Sequence, residues 1–515
     1  MVSAGKNGNW NVRVRSLAHR ARIAVPAAAC ALLLAACAVG PDYQRPALDV
    51  GAAYRHAPEG NWRRAQPGGP GLAADWWRLF GDADLDGMME SLARDNLDIA
   101  RAEAQYRQAR AALDRARSGL FPTVGASGTY TRAGRGNATA DNPSNEYGVS
   151  VSVSWEADLW GKVRRGVEAG RAGLEAGAAD LAAARLSMQS TLAQTYFEVR
   201  ANEAQAALLD RTVEEYERAL QMTRNRYAAG VASPADVAAA SMQLDNARTQ
   251  RIRLGWQREL QINAAAVLLG RTPAAFTMPA GAGVPEVPAV PAGVPSTLLE
   301  RRPDVAAAER RAAEANAQIG VAEAAWFPDL TLGAQAGYRA AEFVDWLSAP
   351  ARFWTLGPTL AMTLFDGGAR RAEVESARAA YDVQAAAYRK TVLDAVREVE
   401  DALAQTDAMV REQASQARAL AAARETLRQI TNQYQAGLVD YLSVVQAQTS
   451  ALSAEQSALD LRAQRLQATV QLIAALGGGW EGLSLPAPGA GGAPADTVAA
   501  PSPAIPAGAV GQTQP

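Results

Sequence analysis

Tyr227-Ala-Ala-Gly230-Val231 is echoed 207 residues later by Tyr434-Gln-Ala-Gly437-Leu438, and this echo decides how the 515-residue chain is read. Three more landmarks keep the spacing within one residue. Leu97-Asp98-Ile99 answers to Pro303-Asp304-Val305, Phe121-Pro122-Thr123 to Phe327-Pro328-Asp329, and Leu269-Gly270 to Leu476-Gly477. Self-similarity at a fixed distance marks a duplicated structural unit, here 82–272 and 296–480. Between them, 273–295 holds Pro279, Pro285, Pro288, Pro291 and Pro295; it cannot be helix and reads as a linker. Residues 37–81 form an extended segment before the first unit, and 481–515, rich in Ala, Pro and Gly, reads as a disordered tail.

Outward from the two glycines the pattern is helical. No Pro occurs from 144 to 233 or from 359 to 485. Within the first window Leu192, Val199, Ala206, Val213, Leu220 and Tyr227 recur at every seventh residue. Their shifted partners are Val399, Thr406, Gln413, Leu420, Leu427 and Tyr434, of which only Thr406 and Gln413 are polar. Heptad spacing over this length predicts helices packed along a coiled-coil seam. A helix from Lys162 to Ala229 would be about 100 Å long at ~1.5 Å per residue. Gly230 and Gly437 suit the left-handed position just past a helix end. Ser233-Pro234 then reads as N-cap and first helical residue, and Asp440 as the second copy's cap. Each rod therefore folds back as a helical hairpin, 161–270 and 368–476. Upstream, each unit opens on a helix, Asp84 to Ser118 and Ser296 to Trp326, with Pro303 in the opening turns of the latter.

Between opening helix and rod, each unit alternates apolar and small polar residues. Tyr147, Val149, Val151, Val153 and Trp155 interleave with Gly148, Ser150, Ser152 and Ser154; Leu330, Leu332, Ala334, Ala336 and Tyr338 with Thr331, Gly333, Gln335 and Gly337. Weaker alternation marks 123–131, and 354–364 alternates with Pro358 on its apolar side. The predicted strands are 121–132, 146–156, 328–339 and 353–365. A soluble sheet over a core would alternate in the same way. The nearly uncharged Ser/Thr/Gly face, the runs of about ten residues and the aromatics near their ends fit transmembrane barrel strands better. Four strands cannot close a barrel, since the smallest single-chain barrels have about eight, and an open edge in lipid is prohibitive. Several chains must then share one barrel. Two copies would give eight strands and three twelve, and an open lumen favours three, because about eight strands leave room only for side chains.

The rest of the sequence mostly excludes. Residues 1–36 carry Lys6, Arg13, Arg15, Arg20 and Arg22 with no acid, then an apolar run from Ile23, closing on Leu34-Ala35-Ala36-Cys37. That is the layout of a secretory signal, too short to span a bilayer. Without 1–36 the chain has 46 basic and 53 acidic side chains, net −7, and nothing suggests a nucleic-acid partner. Past the leader only His56 and Cys37 remain of their kinds. A Cys/His zinc site, a disulfide framework and a catalytic triad are thereby disfavoured, and no cofactor is implied. The Gly161-Lys162 pair has Glu156 where a P-loop needs glycine. The chain does not read as an enzyme.

Leu-Ala-Ala-Cys37 resembles the bacterial lipoprotein box, which implies an N-acyl and S-diacylglycerol lipid on Cys37. From Cys37 to Trp480 the sequence resembles the outer-membrane efflux proteins, the TolC-like channels, in their OprM/NodT-type lipoprotein branch. The motifs that carry the resemblance are Gly40-Pro41-Asp42-Tyr43, Trp76-Trp77-Arg-Leu-Phe80-Gly-Asp82, Asn96-Leu97-Asp98-Ile99, Arg301-Arg302-Pro303-Asp304-Val305, Ile319-Gly320-Val321-Ala322, Phe365-Asp366-Gly367-Gly368 and Leu476-Gly477-Gly478-Gly479-Trp480. It implies a mixed α and β membrane protein: a homotrimer with a 12-stranded outer-membrane β-barrel continuous with a long periplasmic α-barrel. It also implies three partners: outer-membrane lipid, a periplasmic membrane-fusion adaptor and an inner-membrane pump of resistance-nodulation-division type. The function implied is passive export of drugs or other toxic small molecules, gated at the hairpin tips. By position Leu442 matches the apolar constriction residue. Gln446 stands where close relatives place an acidic gate residue, which puts an acidic inner gate in doubt. Asp236 and Asp440 are the acids at the tips, and helix capping explains them equally well; for Leu442 the alternative is a buried seam residue. A type I secretion duct for protein, a structural periplasm-bridging lipoprotein and an autonomous porin remain the alternative functions.

Overall fold

Where the sequence suggested one helix from Asp84 to Ser118, there are two. The computed structural model describes residues 38–49, 51, 54–55, 73–134, 143–279, 281, 283–288, 290, 301–480 and 482; the leader, Cys37 and the tail past 482 lie outside them. Helix α1 (Ala83–Asp95) stops at Asn96 and α2 (Leu97–Ser118) begins after it. Asn96 has extended backbone and is buried. Its Oδ1 accepts from Ile99 N at 2.9 Å, capping α2, and its Nδ2 donates to Leu268 O at 2.7 Å. The second repeat breaks at the equivalent place. Arg302 is extended, as the residue before a proline must be, and Pro303 is the first residue of α5 (Pro303–Ala324), so it starts a helix instead of lying inside one.

Rods α3 (Lys162–Ala228) and α6 (Ala369–Gln435) are 67 residues each, hence about 100 Å long. Their returning arms, α4 (Pro234–Leu268) and α7 (Tyr441–Ala475), are 35 residues each. Along its length α3 packs against α2, α4, α5 and α7; α6 packs against α5 and α7. Leu192, Val199 and Leu220 of the expected seam are buried, yet Tyr227 is 49% exposed. Toward the tip the buried row is Leu209, Thr212, Tyr216, Leu220 and Thr223, in steps of three and four. The cause is helical pitch: at 3.6 residues per turn a straight helix drifts by about 20° per heptad away from a strict sevenfold row.

The returning arms end against the helix breaks, and this accounts for the Leu-Gly landmarks. Gly270 (φ +65°) and Gly477 (φ +96°) are left-handed, and a Cβ on them would lie 2.3 Å from Asp95 O and 2.1 Å from Arg301 O. Leu268 O accepts from Asn96, and its counterpart Ala475 O accepts from Arg302 Nη1 at 3.1 Å. The duplication is therefore a repeated joint. Around the first joint lies the main core: Trp76, Phe80, Leu85, Met89 and Leu92 on Tyr196, Phe197 and Val199 of α3, closed by Ile262, Leu466 and Val470. Asp82 caps α1 and accepts from Tyr196 Oη at 2.6 Å, while Arg200, 1% exposed, binds Asp84, Glu203 and Pro279 O. Pro279 belongs to the linker, which is thus fastened to this joint.

Strands β1 (Thr123–Ala133), β2 (Ser144–Ala157), β3 (Asp329–Ala340) and β4 (Arg352–Ala361) form one antiparallel sheet in that order. β4 stops short of residue 365 because Ala361 already pairs with Asp329, the first residue of β3. The register sorts side chains cleanly. Val124, Val151, Ala336 and Trp354 share one face with Tyr130, Tyr147, Tyr338, Trp155 and Leu332; Ser127, Ser150, Gly337 and Thr355 share the other. On the second face Ser127 Oγ and Ser150 Oγ are 3.1 Å apart and Gln335 Nε2 donates to Ser150 Oγ at 2.8 Å. Pro358 sits in β4, an edge of the four, where a missing N–H is tolerated.

Candidate functional site

At the tips, Gly230 (φ +74°) and Gly437 (φ +76°) close their rods in the same way. Val231 N donates to Arg226 O and Gly230 N to Tyr227 O, both at 2.9 Å; Leu438 N reaches Gln433 O at 2.9 Å and Gly437 N reaches Tyr434 O at 3.0 Å. This is the Schellman arrangement, which satisfies the last carbonyls of a helix. Helix α4 opens on a capping box: Asp236 N donates to Ser233 Oγ at 3.2 Å and Ser233 N to Asp236 Oδ2 at 2.8 Å. Asp440 Oδ1 accepts from Ser443 N at 3.0 Å and Ser443 Oγ at 2.7 Å, and these bonds hold its carboxyl below the ordinary aspartate range. Both tip carboxylates are engaged as caps. Leu442, 55% exposed, and Gln446, also exposed, lie one turn apart on the face of α7 away from the buried Tyr441, Val444 and Val445.

The two hairpins of the chain are joined by side chains of which periodicity singled out only Tyr434. The Arg226 guanidinium sits 4.5 Å from the centre of the Tyr434 ring, and its Nη1 donates to Tyr434 O at 3.5 Å. Tyr434 packs on Tyr441, ring centres 5.5 Å apart. Gln243 Nε2 donates to Tyr216 Oη at 3.2 Å and to Thr449 Oγ1 at 2.9 Å, tying α4 to α3 and α7. Sequence did hold one signal, the repeated tyrosine. It could not say that Tyr434 is buried between hairpins while its counterpart Tyr227 is exposed.

At the other end, sheet meets rods through an aromatic joint. Trp160 stacks on Phe327 at 4.8 Å and donates from Nε1 to Pro328 O at 2.8 Å. The N-terminal segment starts here: Val39 N donates to Trp160 O at 3.0 Å, and Ala38 lies against Gly161. Arg165, 5% exposed, holds the segment with bonds to Val39 O, Gly40 O and Asp42. From there the segment runs past Tyr388, which accepts from Arg45 Nε at 2.9 Å, and Tyr54 enters a cluster with Val399 and Leu472. Among the described residues no group of His, Cys, Asp and Glu is arranged to hold a metal, and no helix is long and apolar enough to cross a membrane.

A sheet divided into an apolar and a hydroxyl-bearing face, carried on helical hairpins about 100 Å long, is the wall of a membrane duct. The chain belongs to the outer membrane efflux protein family, which it matches over residues 88–271 and 294–478, one stretch in each repeat. It is 34% identical over 478 residues to the outer membrane protein OprJ of Pseudomonas aeruginosa, covering 90% of this chain and 97% of that one. It is 29% identical over 460 residues to the toluene efflux pump outer membrane protein TtgC of Pseudomonas putida, covering 88% and 95%. The solved outer-membrane channel OprN superposes with a TM-score of 0.80 at 30% identity, over 86% of this chain and all of that one. The fold is that of the outer-membrane efflux channels, in a family of transport proteins.

Proposed function

We propose that three copies of the chain close a single duct, with β4 of each copy paired to β1 of the next in a 12-stranded outer-membrane barrel and the hairpins continuing it into the periplasm. The observation that carries this reading is what one chain leaves uncovered. β1 and β4 both have an open edge, which lipid does not tolerate. With four strands per chain, β4 and the next β1 run antiparallel, so closure needs no change of direction. The helices agree. On α4, Ile252, Trp256 and Val267 are 74%, 61% and 64% exposed, whereas Ala463, the repeat counterpart of Trp256, is 7% exposed beneath its neighbours. A ring gives α4 the cover that α7 already has.

Within that duct drugs, solvents or other toxic small molecules pass outward passively, fed by a periplasmic membrane-fusion adaptor and an inner-membrane pump of resistance-nodulation-division type. The hairpin tips are its gate, with Leu442 and Gln446 toward the lumen and the Arg226–Tyr434 and Gln243–Thr449 contacts holding the closed form. Cys37 carries the acyl anchor; Ala38 against Gly161 and Val39 bonded to Trp160 O set the segment's start next to the Trp160–Phe327 stack, and tryptophan is a residue of membrane interfaces, which supports this. Deleting the gene and restoring it tests the reading. Hypersensitivity to several unrelated dyes, antibiotics or solvents, rescued by the gene, is the expected result. Normal sensitivity across the panel with a specific protein retained inside the cell would overturn small-molecule efflux in favour of protein export.

A further inference from the structure

The apolar face of the sheet carries charge at one end only. Counting along the register, its charged side chains are Arg132 in β1 and Arg352 in β4, both exposed and both without an ion pair or hydrogen-bond partner among the described residues. The opposite face handles its charge differently: Arg339 pairs with Glu146 at 3.3 Å and lies over the Phe353 ring at 4.9 Å. Both unpaired arginines lie at the end of the sheet away from the rods, beside the loops that join β1 to β2 and β3 to β4. On the same face, Tyr130 is one step inward of Arg132 and pairs with Tyr147, their rings in contact at 4.9 Å, while Trp354 is one step inward of Arg352 and Tyr338 stands directly opposite Arg352. Such an aromatic band marks the border of the hydrocarbon in a barrel. Arg132 lies two residues beyond Tyr130, and Arg352 lies two residues beyond Trp354 and level with Tyr338, so both guanidinia stand at the outer rim of this band, at headgroup height, where a planar fork matches phosphate oxygens.

Arg132 and Arg352 occupy opposite edges of the sheet in one chain. If the ring closes as proposed above, on which this inference rests, with the rod-side strand ends Thr123 and Ala361 level across the seam, Arg132 of one copy faces Arg352 of the next. No carboxylate on this face of the strands offsets them. We propose that each seam is a binding site for the phosphorylated headgroup of an outer-leaflet lipid, three sites to a ring, with the acyl chains lying on the apolar face below. Lipid held there would staple neighbouring copies where each contributes only an edge strand.

The full-length protein, purified from outer membranes in detergent, is mixed with bis-phosphorylated lipid A and measured by native mass spectrometry. The expected spectrum is a trimer with up to three retained lipids. Affinity for lipid A should fall by about a hundredfold in Arg132→Ala/Arg352→Ala, and only partly in Arg132→Lys/Arg352→Lys, as loss of two charge-assisted phosphate contacts implies. Dephosphorylated lipid should bind weakly to all forms, and millimolar inorganic phosphate should not displace lipid A. Equal retention of lipid A by the trimeric double-alanine variant, equal binding of the dephosphorylated form, or displacement by inorganic phosphate would each overturn the site while leaving the ring intact. A mass other than three chains would overturn the assembly itself.

Discussion

Arg226→Ala is the sharpest perturbation of the proposed gate. In each chain it removes a guanidinium 4.5 Å from the Tyr434 ring centre and a 3.5 Å contact to Tyr434 O. The second is long for a hydrogen bond, so most of the loss is cation–π attraction at a half-exposed site, about 1 kcal/mol. The substitution leaves the helix intact, because alanine is a good helix former and Arg226 is not part of the core. Since the contact joins one hairpin to the other, it is present only while the tips are together. If three tips open in concert, the losses sum to about 3 kcal/mol and the closed-to-open ratio falls by about a hundredfold. Single-channel recording of the purified protein in planar bilayers reads this directly. A channel rarely open in the wild type should be open far more often in the variant, at unchanged open conductance. An unchanged open probability in a variant that still runs as a trimer would refute the reasoning, because it would mean that the hairpins separate without breaking this contact or do not separate at all.

Leu442→Ala should widen the tip without altering the core, since Leu442 is 55% exposed; raised resting conductance with an unchanged melting temperature is expected, and unchanged conductance would remove Leu442 from the gate. Gly230→Ala and Gly477→Ala separate conformation from contact. Both force alanine into a left-handed backbone, worth about 1–2 kcal/mol. Only at Gly477 does the new Cβ also meet backbone, 2.1 Å from Arg301 O, so thermal unfolding should show clearly the larger loss there. Glu198 and Asp460 line the groove among α3, α4 and α7, and burial raises both carboxyl pKa values above the ordinary range. The folded chain therefore binds protons more tightly than the unfolded chain. The associated stability is full below the unfolded carboxylate pKa values near 4 and is lost as pH rises through the native ones. Melting temperature should fall over that rise, and Glu198→Gln/Asp460→Asn should flatten the slope; an undiminished slope would place its origin elsewhere.

The elements themselves were legible because each is fixed by local covalent and solvation rules. Proline-free heptads and the Gly230 and Gly437 stops dictate rods and their ends, and two-residue alternation dictates strands with unlike faces. Tertiary structure overruled this reading where distant backbone intervenes. Asn96 breaks a sequence that would continue as helix because its side chain is claimed by Leu268 O, 172 residues away. The seam wandered off the sevenfold row because 3.6-residue pitch has to be reconciled with several neighbours at once. For the tip the outcome was mixed. Asp236 and Asp440 took the capping role that local chemistry favours, while Arg226, Tyr434 and Gln243 were invisible as a group because nothing in the linear pattern brings α3, α4, α6 and α7 to one point.

By itself, then, the sequence determined the duplication, the rods, the tight tips and the two-faced strands, since these follow from backbone geometry and the spacing of apolar side chains along one segment. Only the tertiary structure decided which tyrosine of the repeated pair is buried, which glycines admit a crossing backbone, and which of the strand arginines are matched by acids among the described residues and which are not. Those outcomes depend on what lies opposite a residue in space, and that is set by the packing of segments some 200 residues apart.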